Sequence, residues 1–244
     1  ALQTANKMKA KKHFGQHFLT NKDTAQRIVD ALGDISQQDV LEIGPGMGVI
    51  SQFMLHTAKR FRAVEIDPEA ASYLEAEFAS IELIKADFLK VDLRKYYTTS
   101  FSIIGNFPYN ISSQIVFKII ENSDLVNRWV GMFQLEMGER LLATPKDKKT
   151  YGILSVLLPF YYKIERVMTL PPGAFNPPPK VNSIVLKAEK VDYTMRCNPI
   201  LLKQIVKTSF GQRRKTLSNS LATIIDKETF NQHQFSTLRP ENLT

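Results

Sequence analysis

Five short runs rich in β-branched and aromatic residues, separated by helical or turn-like stretches, restrict this chain to few folds. They are Val40–Ile43, Phe61–Ile66, Ile81–Ile84, Phe101–Ile104 and Trp129–Phe133. Helical periodicity fills Val49–Ala58, Glu69–Ala79, Ser112–Glu121 and Met137–Ala143, and a further helix over residues 22–33 stops at Gly33. Runs without clean apolar–polar alternation are strands covered on both faces. Separated by helices, they predict a parallel sheet in an α/β fold. The Pro171–Pro179 stretch is a rigid loop. It is flanked by the strand-like runs Lys163–Leu170 and Val181–Ala188, with no helix between them. That pair predicts a hairpin at the sheet edge and therefore a mixed sheet.

From about Asp192 the pattern becomes helical, with apolar positions at Ile200, Leu201, Ile205, Val206, Leu217, Leu221 and Ile224. The expected organisation is a basic arm over 1–20, an α/β domain over 21–191 and a small helical domain over 192–244. Leu238-Arg239-Pro240-Glu241 reads as a helix start, so the last element is expected to be cut short at Thr244.

Charge supports this division. Among 244 residues, 32 Lys and Arg outnumber 24 Asp and Glu, for a net charge of +8. The excess sits in two windows without acids. Residues 1–22 hold Lys7, Lys9, Lys11, Lys12 and Lys22; residues 194–225 hold Arg196, Lys203, Lys207, Arg213, Arg214 and Lys215. A slightly acidic body with two basic segments suits a polyanionic partner, because phosphate contacts release counterions. No run of about 18 apolar residues predicts a membrane span, and the basic N-terminus lacks the apolar core of a secretory signal. Cys197 is the single cysteine, which excludes an internal disulfide framework and multi-cysteine metal sites. A cytoplasmic, reducing setting is expected.

Leu41-Glu42-Ile43-Gly44-Pro45-Gly46-Met47-Gly48 links the first run to a helical pattern. Glycines allow a sharp turn and a close ligand approach. The dinucleotide fingerprint requires a glycine where Val49 stands, so this loop is a different one. It is similar to the strand–turn–helix loop of S-adenosylmethionine-dependent methyltransferases. Glu65 ends the second strand, where a carboxylate can accept both ribose hydroxyls of a nucleoside. Asp87 follows the third strand, placed to accept from an adenine amine. Asp67, before Pro68, fits a helix cap better than a ligand.

After the fourth strand comes Asn106-Phe107-Pro108-Tyr109-Asn110. An adenine amine is a poor nucleophile because its lone pair is delocalised into the ring. The Asn106 carboxamide oxygen and a backbone carbonyl, of Phe107 or Pro108, can each accept one of its N–H bonds. Such a pair pulls the nitrogen toward tetrahedral geometry and aims the lone pair at a methyl group. Tyr109 offers a stacking face for an extruded base.

This loop resembles the signature of the ribosomal RNA adenine N6,N6-dimethyltransferases, and the resemblance runs from about Lys11 to Leu243. Gly15-Gln16-His17-Phe18-Leu19 is similar to their N-terminal motif, which closes over the cofactor. Phe175-Asn176-Pro177-Pro178-Pro179-Lys180-Val181 is similar to their proline loop, whose phenylalanine is expected to sandwich the target base. Phe210-Gly211-Gln212-Arg213-Arg214-Lys215-Thr216-Leu217 looks like the helical domain of the small-subunit branch. The resemblance implies a Rossmann-like class I domain that binds S-adenosylmethionine, yields S-adenosylhomocysteine and uses no metal, followed by a helical RNA-binding domain. It implies a monomer acting on small-subunit ribosomal RNA in an assembling particle, with no membrane partner. Implied cofactor contacts are His17, Leu19, Gly44, Glu65, Asp87 and Asn106. Implied base contacts are Asn106, Phe107, Pro108, Tyr109 and Phe175. Lys11, Lys12, Arg213, Arg214 and Lys215 are the expected phosphate contacts.

Two residues depart from the pattern. His17 stands where Asn is usual, and Phe107 replaces Leu or Ile with a ring bulky enough to crowd the pocket. Alternative readings are a resistance enzyme for large-subunit RNA, an RNA-binding assembly factor and a nicotinamide-dependent oxidoreductase. Gln212–Leu217, the intact Asn106–Tyr109 loop and Val49 weigh against them in turn. Gly138-Glu139-Arg140 also matches a family motif, to which packing or ion pairing is assigned at least as readily as catalysis. The scattered histidines 13, 17, 56 and 233 have no metal-ligand spacing.

Overall fold

A computed structural model describes residues 16–192 and 196–243. In chain order the strands are β1 (Phe18–Leu19), β2 (Asp39–Ile43), β3 (Arg60–Glu65), β4 (Glu82–Lys85), β5 (Phe101–Asn106), β6 (Val126–Gln134), β7 (Tyr162–Leu170), β8 (Phe175–Asn176) and β9 (Ser183–Lys190). The helices are α1 (Lys22–Asp30), α2 (Ser51–Met54), α3 (Pro68–Glu77), α4 (Ser112–Glu121), α5 (Leu135–Leu142), α6 (Ile153–Leu157), α7 (Pro199–Gly211), α8 (Leu217–Ser220) and α9 (Lys227–Asn231).

Seven strands form one sheet in the order β4-β3-β2-β5-β6-β9-β7. The first five are parallel, with Val40 opposite Phe61 and Leu41 opposite Ile103. β9 runs antiparallel to β6, so the sheet is mixed, as the helix-free connection through the proline loop predicts. β1 and β8 form a separate antiparallel ribbon that pairs Phe18 with Asn176 and Leu19 with Phe175.

Ala25, Ile28 and Val29 of α1 pack with Val40, Phe61, Ile104 and Val130 in a buried cluster. Leu19 and Phe175 belong to the same cluster, which anchors the β1–β8 ribbon. Burying these apolar side chains supplies the main drive for the sheet, at about 25 cal/mol per Å². Helix starts are capped by side chains: Asn21 accepts from Thr24 N at 2.9 Å and Asp67 from Glu69 N at 3.0 Å. α2 is shorter than the helix expected over Val49–Ala58. Gly44, Gly46 and Gly48 all have positive φ, so the chain is still turning where a helix would begin.

The chain divides into two compact units. One holds the described residues up to Gly138 together with Ile164–Lys190; the other holds Glu139–Lys163 and Val191 onward. Residues 139–163, which the sequence pattern groups with the sheet, therefore side with the C-terminal segment. α6 and α7 make the contacts responsible, including Tyr151 edge-on to Phe210 at 5.9 Å. The second unit is helical, but α8 and α9 are only one turn each and are joined by turns. It carries a half-open apolar cavity of about 580 Å³ lined by Tyr151, Phe160, Val206, Phe210, Leu221 and Phe235. No helix among the described residues is long and apolar enough to cross a membrane.

Candidate active site

The carboxyl ends of β2, β3 and β5 open on a cavity of about 290 Å³. Its walls include Gly44, Gly46, Glu65, Asp87, Asn106 and Pro108, so features read from four separate strand ends converge in one place. Ligands in open α/β sheets bind in this position.

Gly46 lets the loop pass close beneath β1: a Cβ there would lie 2.8 Å from the Phe18 ring. The Glu65 carboxylate is buried and accepts from Gly46 N at 3.1 Å on one oxygen and from Asp67 N at 2.9 Å on the other. The Ile66 N–H also acts on this carboxylate, which lines the cavity wall. Burial raises its pKa, opposed by those backbone N–H groups. Asp67 is fully buried and caps α3, as its position before proline predicts, and accepts from Gln16 at 3.0 Å. Asp87 spends one oxygen on Leu89 N at 3.0 Å.

Asn106 Nδ2 donates to the main-chain carbonyl of His17 at 2.7 Å. Its carboxamide oxygen is thereby left as an acceptor. The carbonyl makes this contact independent of the residue 17 side chain, so a histidine in place of asparagine keeps it. The His17 ring stacks on Tyr109, 5.4 Å between centroids, and its Nδ1 donates to Pro177 O at 2.8 Å. The Tyr109 hydroxyl lies 2.6 Å from Ser183 Oγ. The Pro108 carbonyl already accepts from Ile111 N at 3.1 Å.

Three sequence expectations change here. The Phe107 ring does not crowd the cavity. It is fully buried, edge-on to Phe133 at 5.2 Å, and occupies the space above Gly131, where a Cβ would lie 2.5 Å from it. The structure does not bring the Phe175 ring to the cavity: it is 3% exposed, inside the α1 cluster. Leu19 likewise faces that cluster and a smaller neighbouring cavity rather than the main one. Gly138 itself is closely packed, because a Cβ there would meet Ile184 at 2.1 Å.

Other groups were not singled out from sequence. Glu42 is buried in β2, its carboxyl pushed up to about 8 by burial, and accepts from Ser51 Oγ at 2.6 Å. A lone acid inside an apolar run was the available signal. Lys118 on α4 donates to three backbone carbonyls, of Phe88 (2.7 Å), Leu89 (3.0 Å) and Val91 (2.5 Å). It holds the turn after Asp87 from the helix that follows the Asn106–Asn110 loop. In the second unit Arg213 is tied internally, while Arg214 and Lys215 are exposed. Lys11 and Lys12 lie outside the described residues. Among the described residues no group of three His, Cys, Asp or Glu could hold a metal ion.

A parallel sheet with a glycine turn after β2, acids after β3 and β4 and a polar loop after β5 has the fold of the class I S-adenosylmethionine-dependent methyltransferases. Residues 7–242 match the family model described as ribosomal RNA adenine dimethylase, and the chain belongs to that family. A "Ribosomal RNA small subunit methyltransferase A" of Parabacteroides distasonis is 48% identical over 91% of this chain and 84% of that protein. One from Porphyromonas gingivalis is 45% identical over 98% and 94%. A dimethyladenosine transferase from Plasmodium falciparum superposes with a TM-score of 0.79 at 25% identity, covering 93% of each chain. The 23S rRNA methyltransferase ErmE shares the fold, with a TM-score of 0.68 at 23% identity over 92% of this chain and 96% of that one.

Proposed function

We propose that this protein dimethylates N6 of two adjacent adenines near the 3′ end of small-subunit ribosomal RNA. Its substrate is an assembling small subunit, its methyl donor is S-adenosylmethionine, and it works as a monomer. The observation that carries this reading is the convergence of Glu65, Asp87 and the Asn106 acceptor in one cavity, in a chain 43–48% identical to relatives named for the small-subunit activity.

The residues fit the donor. Glu65 offers carboxylate oxygens at the cavity wall to ribose hydroxyls, and Asp87 has a second oxygen for an adenine amine. When bound, the donor supplies an electrophilic methyl on a sulfonium, which leaves without acid or metal assistance. The Asn106 oxygen accepts one N–H of the target amine. The carbonyl of Phe107 or Pro108 accepts the other; the Pro108 oxygen already takes one hydrogen bond, from Ile111 N, and keeps a second lone pair. Pro108 stiffens the loop, and Tyr109, held by Ser183 and His17, presents its ring to the extruded base. Lys11 and Lys12 are assigned to phosphates by charge alone.

The test is labelled methyl transfer into unmethylated small subunits, large subunits and naked RNA, comparing the protein with Asn106→Ala and mapping the modified base. The expected result is dimethyladenine in the small subunit only, lost in the variant. Label in large-subunit RNA would overturn the assignment, and binding without transfer would indicate an assembly factor.

A further inference from the structure

Sequence alone offers one basic motif in the helical unit, Arg213-Arg214-Lys215. Folding adds a second beside it. The segment 144–150 is a turn organised by Asp147, whose carboxylate accepts from Thr144 N at 2.9 Å and Thr144 Oγ1 at 2.8 Å. The Asp147 carbonyl accepts from Thr150 N and Tyr151 N, both at 2.9 Å. These bonds hold the carboxylate, its pKa lowered chiefly by the Thr144 backbone N–H, against its own turn. Lys146, Lys148 and Lys149 around it are exposed.

Arg213 joins the two segments. Its Nη1 donates to the Lys149 carbonyl at 3.3 Å and its Nε lies 3.6 Å from Glu241. One hydrogen bond to a carbonyl and an ion pair with a carboxylate of its own chain tie this guanidinium to the fold. Arg214 and Lys215, next in sequence, are exposed. Tyr151 packing on Phe210 fixes the same junction from the other side.

We infer that Lys146, Lys148 and Lys149 form one RNA-phosphate surface with Arg214 and Lys215, and that Arg213 is the strut that joins its two halves. The inference rests on the RNA-methyltransferase reading only for the kind of polyanion bound. The surface combines segments more than sixty residues apart, so neither charge run alone discloses it. Five exposed cations on one unit make a site of graded, salt-sensitive affinity rather than a pocket with fixed partners.

The experiment measures affinity for unmethylated small ribosomal subunits, and for a random-sequence RNA, against salt concentration. It uses the whole protein, Lys146→Gln/Lys148→Gln/Lys149→Gln, Arg214→Gln and Arg213→Gln. The triple variant is expected to reduce the slope of log affinity against log salt by about two to three, and Arg214→Gln by about one. Both should raise KM for the subunit while leaving kcat and the melting temperature close to the parent. Arg213→Gln is expected to lower the melting temperature, with Arg213→Lys restoring it in part. A triple variant with parental slope and KM overturns the surface. An Arg213→Gln variant that melts like the parent yet loses slope as Arg214→Gln does overturns the strut. Salt-dependent RNA binding by a parent that transfers no methyl group would defeat the proposed reaction and leave the surface standing, because the slope is read without catalysis.

Discussion

The cavity at the strand ends and the basic surface of the helical unit use charge in opposite ways. Glu65 is buried, and each of its oxygens is fixed by a backbone N–H. Asn106 is pinned by a carbonyl. Lys148, Arg214 and Lys215 stand exposed on turns. In the cavity a group matters for where it points. On the surface it matters for the charge it adds. Substitutions should therefore be large and insensitive to salt in the first region, and small, graded and salt-dependent in the second.

The largest effect is expected at Asn106. Asn106→Ala removes the acceptor proposed to act on the reacting amine, and single-turnover transfer should fall about 10²- to 10³-fold at any ionic strength. A loss that vanished at high salt would break the comparison. Glu65→Gln should weaken cofactor binding about 10- to 100-fold by calorimetry, the value of charge-assisted hydrogen bonds, with kcat at saturating donor nearly kept. Packing behind the catalytic loop can be probed with Gly131→Ala. It drives a Cβ into the Phe107 ring and should cost about 1–3 kcal/mol in denaturant melts. Phe107→Leu should recover part of that cost when combined with it, and additive losses would show that the two positions do not share space.

Glu42 gives a pH signature. Its folded pKa of about 8 lies above the unfolded value near 4.5, so the folded state holds a proton that the unfolded state releases. Its contribution is fully present below pH 4.5 and is lost as pH rises toward 8, at about 1.4 kcal/mol per pH unit. Glu42→Gln should flatten that decline in melting temperature. The smallest effect belongs to the surface: Lys215→Gln should weaken RNA binding a few-fold at low salt and hardly at all at high salt.

Much of the sheet and cavity could be read from sequence, because strand ends in a parallel sheet converge and the spacing of Gly44, Glu65, Asp87 and Asn106 follows that convergence. What was hidden depends on tertiary partners. Lys118 is an unremarkable helix lysine until three carbonyls of another turn meet it. Phe107 looks too large until Gly131 is found beneath it. Arg213 cannot be told from Arg214 until Lys149 and Glu241 are placed. Residues 139–163 carry no compositional mark of the unit they join.

An asparagine amide is ambidextrous: turned over, it exchanges an acceptor for a donor. The His17 carbonyl, 89 residues away in sequence, removes that choice at Asn106. In the proposed reaction, the group that faces the incoming base then asks for a hydrogen and offers none. A purine with an amine at that edge satisfies it, whereas one with a carbonyl sets oxygen against oxygen. In the proposed reaction, the residue that leads into β1 thus works as a grammar for the loop, fixing which base edge it accepts without touching the base itself.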